Sequence, residues 1–223
     1  MPDPPSPAPD TCWLYLLRHA ATANNLARPP RLQGRRLDAE LSDEGRAQAE
    51  RAAAWLAERP IAAVYSSPLR RAVETAASIA RRRNLAVQRV DAITEVDVGD
   101  WEGRAWDEIA RSDPDAYQRF LAAPERHGYR GGENLSQVDQ RAVPALQRLL
   151  EENLGRWIVV VGHNVVNRVF LARLIQLPLA AARLLVQDNC GVNLIRHRGG
   201  ETQLRTLNSI GHLESVKPPG GSV

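Results

Sequence analysis

Trp13-Leu14-Tyr15-Leu16-Leu17 runs without a polar residue straight into Arg18-His19. A short, wholly apolar run of this kind reads as a strand buried on both faces, which requires helices on either side of the sheet. Trp157-Ile158-Val159-Val160-Val161 repeats the pattern and runs into Gly162-His163. Two of the chain's five histidines therefore stand at the carboxyl ends of two buried strands. In open sheets of this class, ligands bind outside those ends.

Working outward, helical and strand periods alternate. Ser42 can cap a helix in which Ala49, Ala52, Ala53 and Leu56 recur at helical spacing, and Pro60 ends it. Ile61–Tyr65 is the next strand. Ser67 followed by Pro68 predicts a helix start there, with Val73, Ala76, Ile79 and Ala80 on one apolar face. Ala86–Val90 is a short strand. Leu135, Val138, Ala142, Leu146 and Leu149 mark a long amphipathic helix, and another is predicted from about Val165 to Ile175. The chain closes with a hairpin, Val192–His197 and Thr202–Leu207, turning at Gly199-Gly200. The fold class implied is α/β: a three-layer α/β/α sandwich around a mostly parallel sheet. Residues 96–134 differ, with scattered Gly and Pro between short helical stretches. They are expected to form a partly helical insertion over the site, with Trp101 and Trp106 packed beneath it. Residues 1–10 read as a disordered leader, 11–213 as one domain and 214–223 as a flexible tail.

Composition excludes several classes. The 223 residues are 43% hydrophobic, enough for a core, with a net charge of +3. Basic and acidic residues are interspersed and aromatics are only 5%, so no nucleic-acid partner is expected. No apolar run reaches membrane-spanning length, and the N-terminal residues lack the charged and apolar regions of a signal peptide, so none is expected. Cys12 and Cys190 form no metal-spaced pair and read as thiols of a cytoplasmic protein. The sequence admits a homodimer.

The candidate site follows from the two histidines. Arg18 precedes His19, and Ile61–Tyr65 leads through Ser66-Ser67-Pro68 into a helix carrying Arg70-Arg71. The start of that helix would favour an anion, and Arg18 with one of the pair could clamp a tetrahedral oxyanion. Spacing alone leaves Arg70 and Arg71 equivalent. A metal fits badly, because neither histidine has an adjacent Asp or Glu and no His-x-x-x-His occurs. A serine-hydrolase elbow and a P-loop are also absent. His127, His197 and His212 read as structural.

These motifs, taken together, resemble those of the histidine phosphatase superfamily. Leu17-Arg18-His19-Ala20 through Asn25 is similar to its Arg-His-Gly signature, with Ala20 where glycine is usual. Ser67-Pro68-Leu69-Arg70-Arg71-Ala72 resembles its second motif and selects Arg71. Thr94-Glu95 with Gly99-Asp100-Trp101-Glu102-Gly103 resembles the segment that supplies the acid, Glu95. Val161-Gly162-His163-Asn164 matches the last motif; Leu32-Gln33-Gly34 and Gln187-Asp188-Asn189-Cys190 also fit. Ala21 and Asn134 depart from the family's usual residues.

The resemblance implies two-step phosphoryl transfer through a phosphohistidine on His19, with no cofactor and no metal. Arg18, Arg71, His163 and Asn25 would stabilise the equatorial oxygens, and Glu95 would protonate the leaving alkoxide. Gln33, Gly34, Glu133 and Asn164 are the further substrate-binding candidates. The expected substrate is a small phosphomonoester. The main alternative is a phosphoglycerate mutase, but mutases of this family carry a longer, more basic insertion than the stretch from Glu95 to Gly132. A non-catalytic phosphate-binding protein is the third reading, and the intact catalytic positions argue against it.

Overall fold

A computed structural model describes residues 7–214. Six strands form one sheet: β1 (Thr11–Arg18), β2 (Ile61–Ser66), β3 (Val87–Arg89), β4 (Trp157–Gly162), β5 (Val192–Arg198) and β6 (Glu201–Ser209), in the order β3-β2-β4-β1-β5-β6. The first four in that order run parallel, while β5 and β6 extend the sheet antiparallel beyond β1. The helices are α1 (Ala23–Leu26), α2 (Asp43–Ala57), α3 (Arg70–Arg82), α4 (Trp106–Ser112), α5 (Pro114–Ala122), α6 (Leu135–Glu152) and α7 (Asn164–Leu174).

The apolar runs are continuous because both faces of the sheet are covered. Along β1, Leu14 and Leu16 pack into a core with α6 and α7, while Tyr15 and Leu17 pack against α2 and α3. In β4, Ile158 and Val160 take the first side, and Val159 and Val161 the second. This is the three-layer sandwich expected. The expected Ser42 cap is present, and Asn134 supplies a second cap not expected from the sequence. The Ser42 hydroxyl accepts from Gly45 N at 3.0 Å, and Asn134 Oδ1 accepts from Gln137 N at 2.8 Å, starting α6.

The start of α3 differs from expectation. Its first helical residue is Arg70, two positions beyond Pro68, and Leu69 occupies the cap position. Arg70 N donates to Asp38 Oδ1 at 2.6 Å, so a carboxylate from the preceding loop takes the helix end that Ser67 was expected to cap. That end is consequently filled by the chain's own anion. Residues 1–6 of the leader, and the tail from 215, lie outside the described residues. Asp10, the last leader residue, pairs with Arg198 at 2.9 Å. Among the described residues, no helix is long and apolar enough to cross a membrane.

Candidate active site

Register brings the two histidines together. β1 and β4 pair with Arg18 opposite Gly162, so His19 and His163 leave the sheet side by side. His19 N donates to Gly162 O at 3.0 Å, and the ring centroids lie 5.2 Å apart. Both side chains are buried, His163 completely.

The hydrogen bonds of His19 decide its tautomer. Nδ1 lies 2.7 Å from Ala20 O, and a carbonyl can only accept, so Nδ1 carries the proton. Nε2 keeps its lone pair, with no partner among the described residues. Burial, then the charges of Arg71 and Arg18, hold the imidazole well below its ordinary value, so the ring stays neutral. Ala20 itself is pinned by its N–H to Thr75 Oγ1 at 3.0 Å, and Asn189 Nδ2 donates to His19 O at 2.9 Å. His163 is depressed by burial and by Arg71, His19 and Arg18. Both of its ring nitrogens are buried without a hydrogen-bond partner.

Arg18 Nη1 donates to Gln187 O at 2.7 Å, and its Nε is unsatisfied; burial lowers its pKa to about 10. The choice between Arg70 and Arg71 is resolved by burial. Arg70 faces solvent and pairs with Glu40 and Glu74, whereas Arg71 is wholly buried. Arg71 donates to Leu37 O at 3.0 Å and Gly34 O at 2.8 Å, leaving Nε unpaired. Gly34 thus holds an arginine, and a Cβ there would stand 2.6 Å from Val96 O.

Glu95, 3% exposed, accepts from three backbone N–H groups. Oε1 takes Val96 N at 3.0 Å and Val166 N at 3.3 Å, and Oε2 takes Val165 N at 3.2 Å. The carboxylate therefore sits on the N-terminus of α7, where the helix dipole favours negative charge. Asn25 Oδ1 accepts from Thr22 N at 3.0 Å, which orients its amide NH₂.

Arg18, His19, Asn25, Gln33, Glu95 and Asn164 line one pocket of about 210 Å³. Arg71, His163, Gly34 and Glu133 are not among its lining residues, and Glu133 is engaged elsewhere. The Glu133 carboxylate grips Arg141 at 2.8 and 2.9 Å and accepts from Asp97 N. Arg141 in turn donates to the carbonyls of Ala92, Thr94 and Glu95, so Glu133 steadies the backbone of Glu95. Of the two tryptophans, Trp101 is packed as expected, but Trp106 lines the pocket. Sequence reasoning missed Arg168, which also lines it. The signal was present: Arg168 lies four residues after Asn164, on the same helical face. Among the described residues no group of three or more His, Cys, Asp or Glu side chains could hold a metal ion.

The arrangement can attack a tetrahedral anion with a neutral nitrogen, surround it with cationic donors and offer a carboxyl group to a departing oxygen. Residues 14–210 match the family model of the histidine phosphatase superfamily (branch 1). The chain belongs to the histidine phosphatase superfamily. It is 32% identical over 200 residues to phosphoserine phosphatase 1 of Hydrogenobacter thermophilus, covering 90% of this chain and 93% of that one. It is 34% identical over 209 residues to a metal-independent phosphoserine phosphatase of Arabidopsis thaliana, covering 91% and 84%. Among solved structures, Bacillus stearothermophilus YhfR superposes with a TM-score of 0.83 at 31% identity, over 91% of this chain and 100% of that one.

Proposed function

We propose that this histidine phosphatase hydrolyses small phosphomonoesters through a phosphohistidine on Nε2 of His19, without a metal. The observation that carries the reading is the locked tautomer: a buried, neutral imidazole whose proton is committed to Ala20 O, beside arginine and histidine nitrogens that lack partners. In the first step a phosphomonoester monoanion passes its proton to the Glu95 carboxylate, Nε2 bonds to phosphorus, the ester P–O bond breaks, and Glu95 gives that proton to the departing oxygen. In the second, Glu95 as carboxylate takes a proton from water. The hydroxide attacks phosphorus, the N–P bond breaks, and neutral His19 returns. Arg18, Arg71, His163 and Asn25 supply donors to the equatorial oxygens, doing the electrostatic work a metal would do elsewhere.

Two buried free cysteines fit a reducing compartment, and the cytoplasm is the proposed location. The test is to quench the reaction with labelled substrate, in excess chelator and without acid. An acid-labile, base-stable phosphoryl group should be found on His19, absent in His19→Ala. Label on another residue, or activity that chelator abolishes and a divalent metal restores, would overturn the mechanism.

A further inference from the structure

The insertion does more than close the site. Beside the His19 pocket lies a second cavity of about 400 Å³, within the range of pockets that hold drug-sized ligands. The two share Trp106, Tyr129, Val165 and Arg168, so they adjoin along those four residues. Beyond them the lining is apolar and aromatic, including Tyr117, Phe120, Leu121 and Val169. Among the described residues no carboxylate lines this second cavity, and the charged groups that do are Arg168, at the junction, and Arg183.

The direction of the reaction points into this space. Glu95 must reach the leaving oxygen, and its carboxylate is bonded to the N–H of Val165, a residue shared by both cavities. With the phosphoryl group against His19, the carbon skeleton beyond that oxygen is directed past Val165 and Tyr129. Arg168 is anchored there by its Nε, which donates to Leu185 O at 2.8 Å. Serine brings both a carboxylate and an ammonium: the two arginines suit the first, but among the described lining residues the second finds no acid to pair with. An uncharged ring would meet aromatic faces already arranged: Phe120 lies 4.6 Å from Tyr129 and stacks on Trp106 at 5.6 Å, centroid to centroid.

We propose that the substrate's leaving group is an alcohol bearing an uncharged, aromatic-sized apolar body, seated in this second cavity. The inference rests on the phosphatase reading above and assigns its substrate class. It is tested with phosphate esters of matched leaving-group acidity, so that chemistry is held constant while size varies. 3-Phenylpropyl phosphate should exceed propyl phosphate in kcat/KM by roughly ten- to hundred-fold, the value of burying one such ring. Phosphoserine should fall on the low side of that gap. Ala180→Trp, which fills the cavity from its rim, should collapse the ratio. Leu121→Asp, at a half-exposed position, should lower the ratio and raise kcat/KM for phosphoserine. A ratio near unity in the unmodified enzyme, or one that both variants leave unchanged, overturns the substrate assignment while phosphatase activity stands. Failure to hydrolyse any ester, nitrophenyl phosphate included, would instead remove the phosphatase reading, and this inference with it.

Discussion

The two buried histidines make a stability signature in the mildly acidic range. Each is held neutral in the folded chain, His19 by burial with Arg71 and Arg18, and His163 by burial with Arg71, His19 and Arg18. In the unfolded chain each protonates near the ordinary value of about 6.5. Below that pH the unfolded state binds more protons, so stability is full above about 6.5 and falls as the medium becomes more acidic. The loss continues down to the folded-state values, which lie well below. One histidine barred from protonation costs about 1 kcal/mol between pH 6.5 and 5.5, so the pair should cost about 2 kcal/mol. Depressed carboxylates such as Asp97 and Glu133 lose their contribution only below their ordinary values of 3.8 and 4.5, outside this window. Urea denaturation at half-unit steps from pH 7.0 to 5.0 measures the slope. His19→Asn and His163→Asn should each remove about half of it, whatever they do to absolute stability. Comparing unmodified and variant protein cancels His212, which is also depressed by burial. Parallel pH profiles for all three proteins would refute the claim that these rings are kept neutral by the fold.

Two further outcomes test the surrounding chemistry. Glu95→Gln should slow phosphoenzyme formation about 10²–10⁴-fold more with an alkyl phosphate than with nitrophenyl phosphate, because nitrophenolate leaves without a proton. Single-turnover kinetics on both esters, with Glu102→Gln as the control, give the answer; equal losses would take the acid role from Glu95. Gly34→Ala should cost about 1–3 kcal/mol in thermal unfolding and lower kcat/KM, since the added Cβ would stand 2.6 Å from Val96 O and displace the carbonyl that holds Arg71. Unchanged turnover in that variant would show that Arg71 does not depend on the Gly34 loop.

The central strands and the two histidines were legible because burial on both faces writes itself as an uninterrupted apolar run, and the residue after such a run stands at the strand's end. The Ser42 cap was legible for a similarly local reason, an oxygen three residues before the N–H it serves. What escaped depends on partners distant in sequence. Asp38 reaches the start of α3 from a loop, so the Ser67-Pro68 signal overestimated where that helix begins. Glu133 read as a substrate-binding candidate, and the spacing gave no sign that Arg141, eight residues on, holds its carboxylate. Arg71 and Arg70 are indistinguishable by periodicity; the family resemblance selected Arg71, which is the buried one of the two. Arg168 carried a helical-spacing signal, but its meaning required knowing that two cavities meet at Val165.

The charges around the site explain why phosphate, rather than any neutral ester, belongs there. Arg18, Arg71 and Arg168 all have their pKa lowered chiefly by burial, and all three are partly relieved by the same group, Glu95. One carboxylate therefore serves as shared counter-ion for three guanidinium groups that the fold has drawn out of water. Arg141 does not add to this excess, since Glu133 neutralises it at 2.8 Å. At each arginine burial is the largest influence and Glu95 the next. Asp188 acts on Arg18, and Asp38 and Glu102 act on Arg71, but among the described residues no carboxylate forms an ion pair with any of the three arginines. A phosphoryl dianion would, and the transition state spreads its charge over the three oxygens that these donors would face. Burial, then the charges of Arg71 and Arg18, depress His19, so the surroundings that suit a phosphate also keep that imidazole unprotonated.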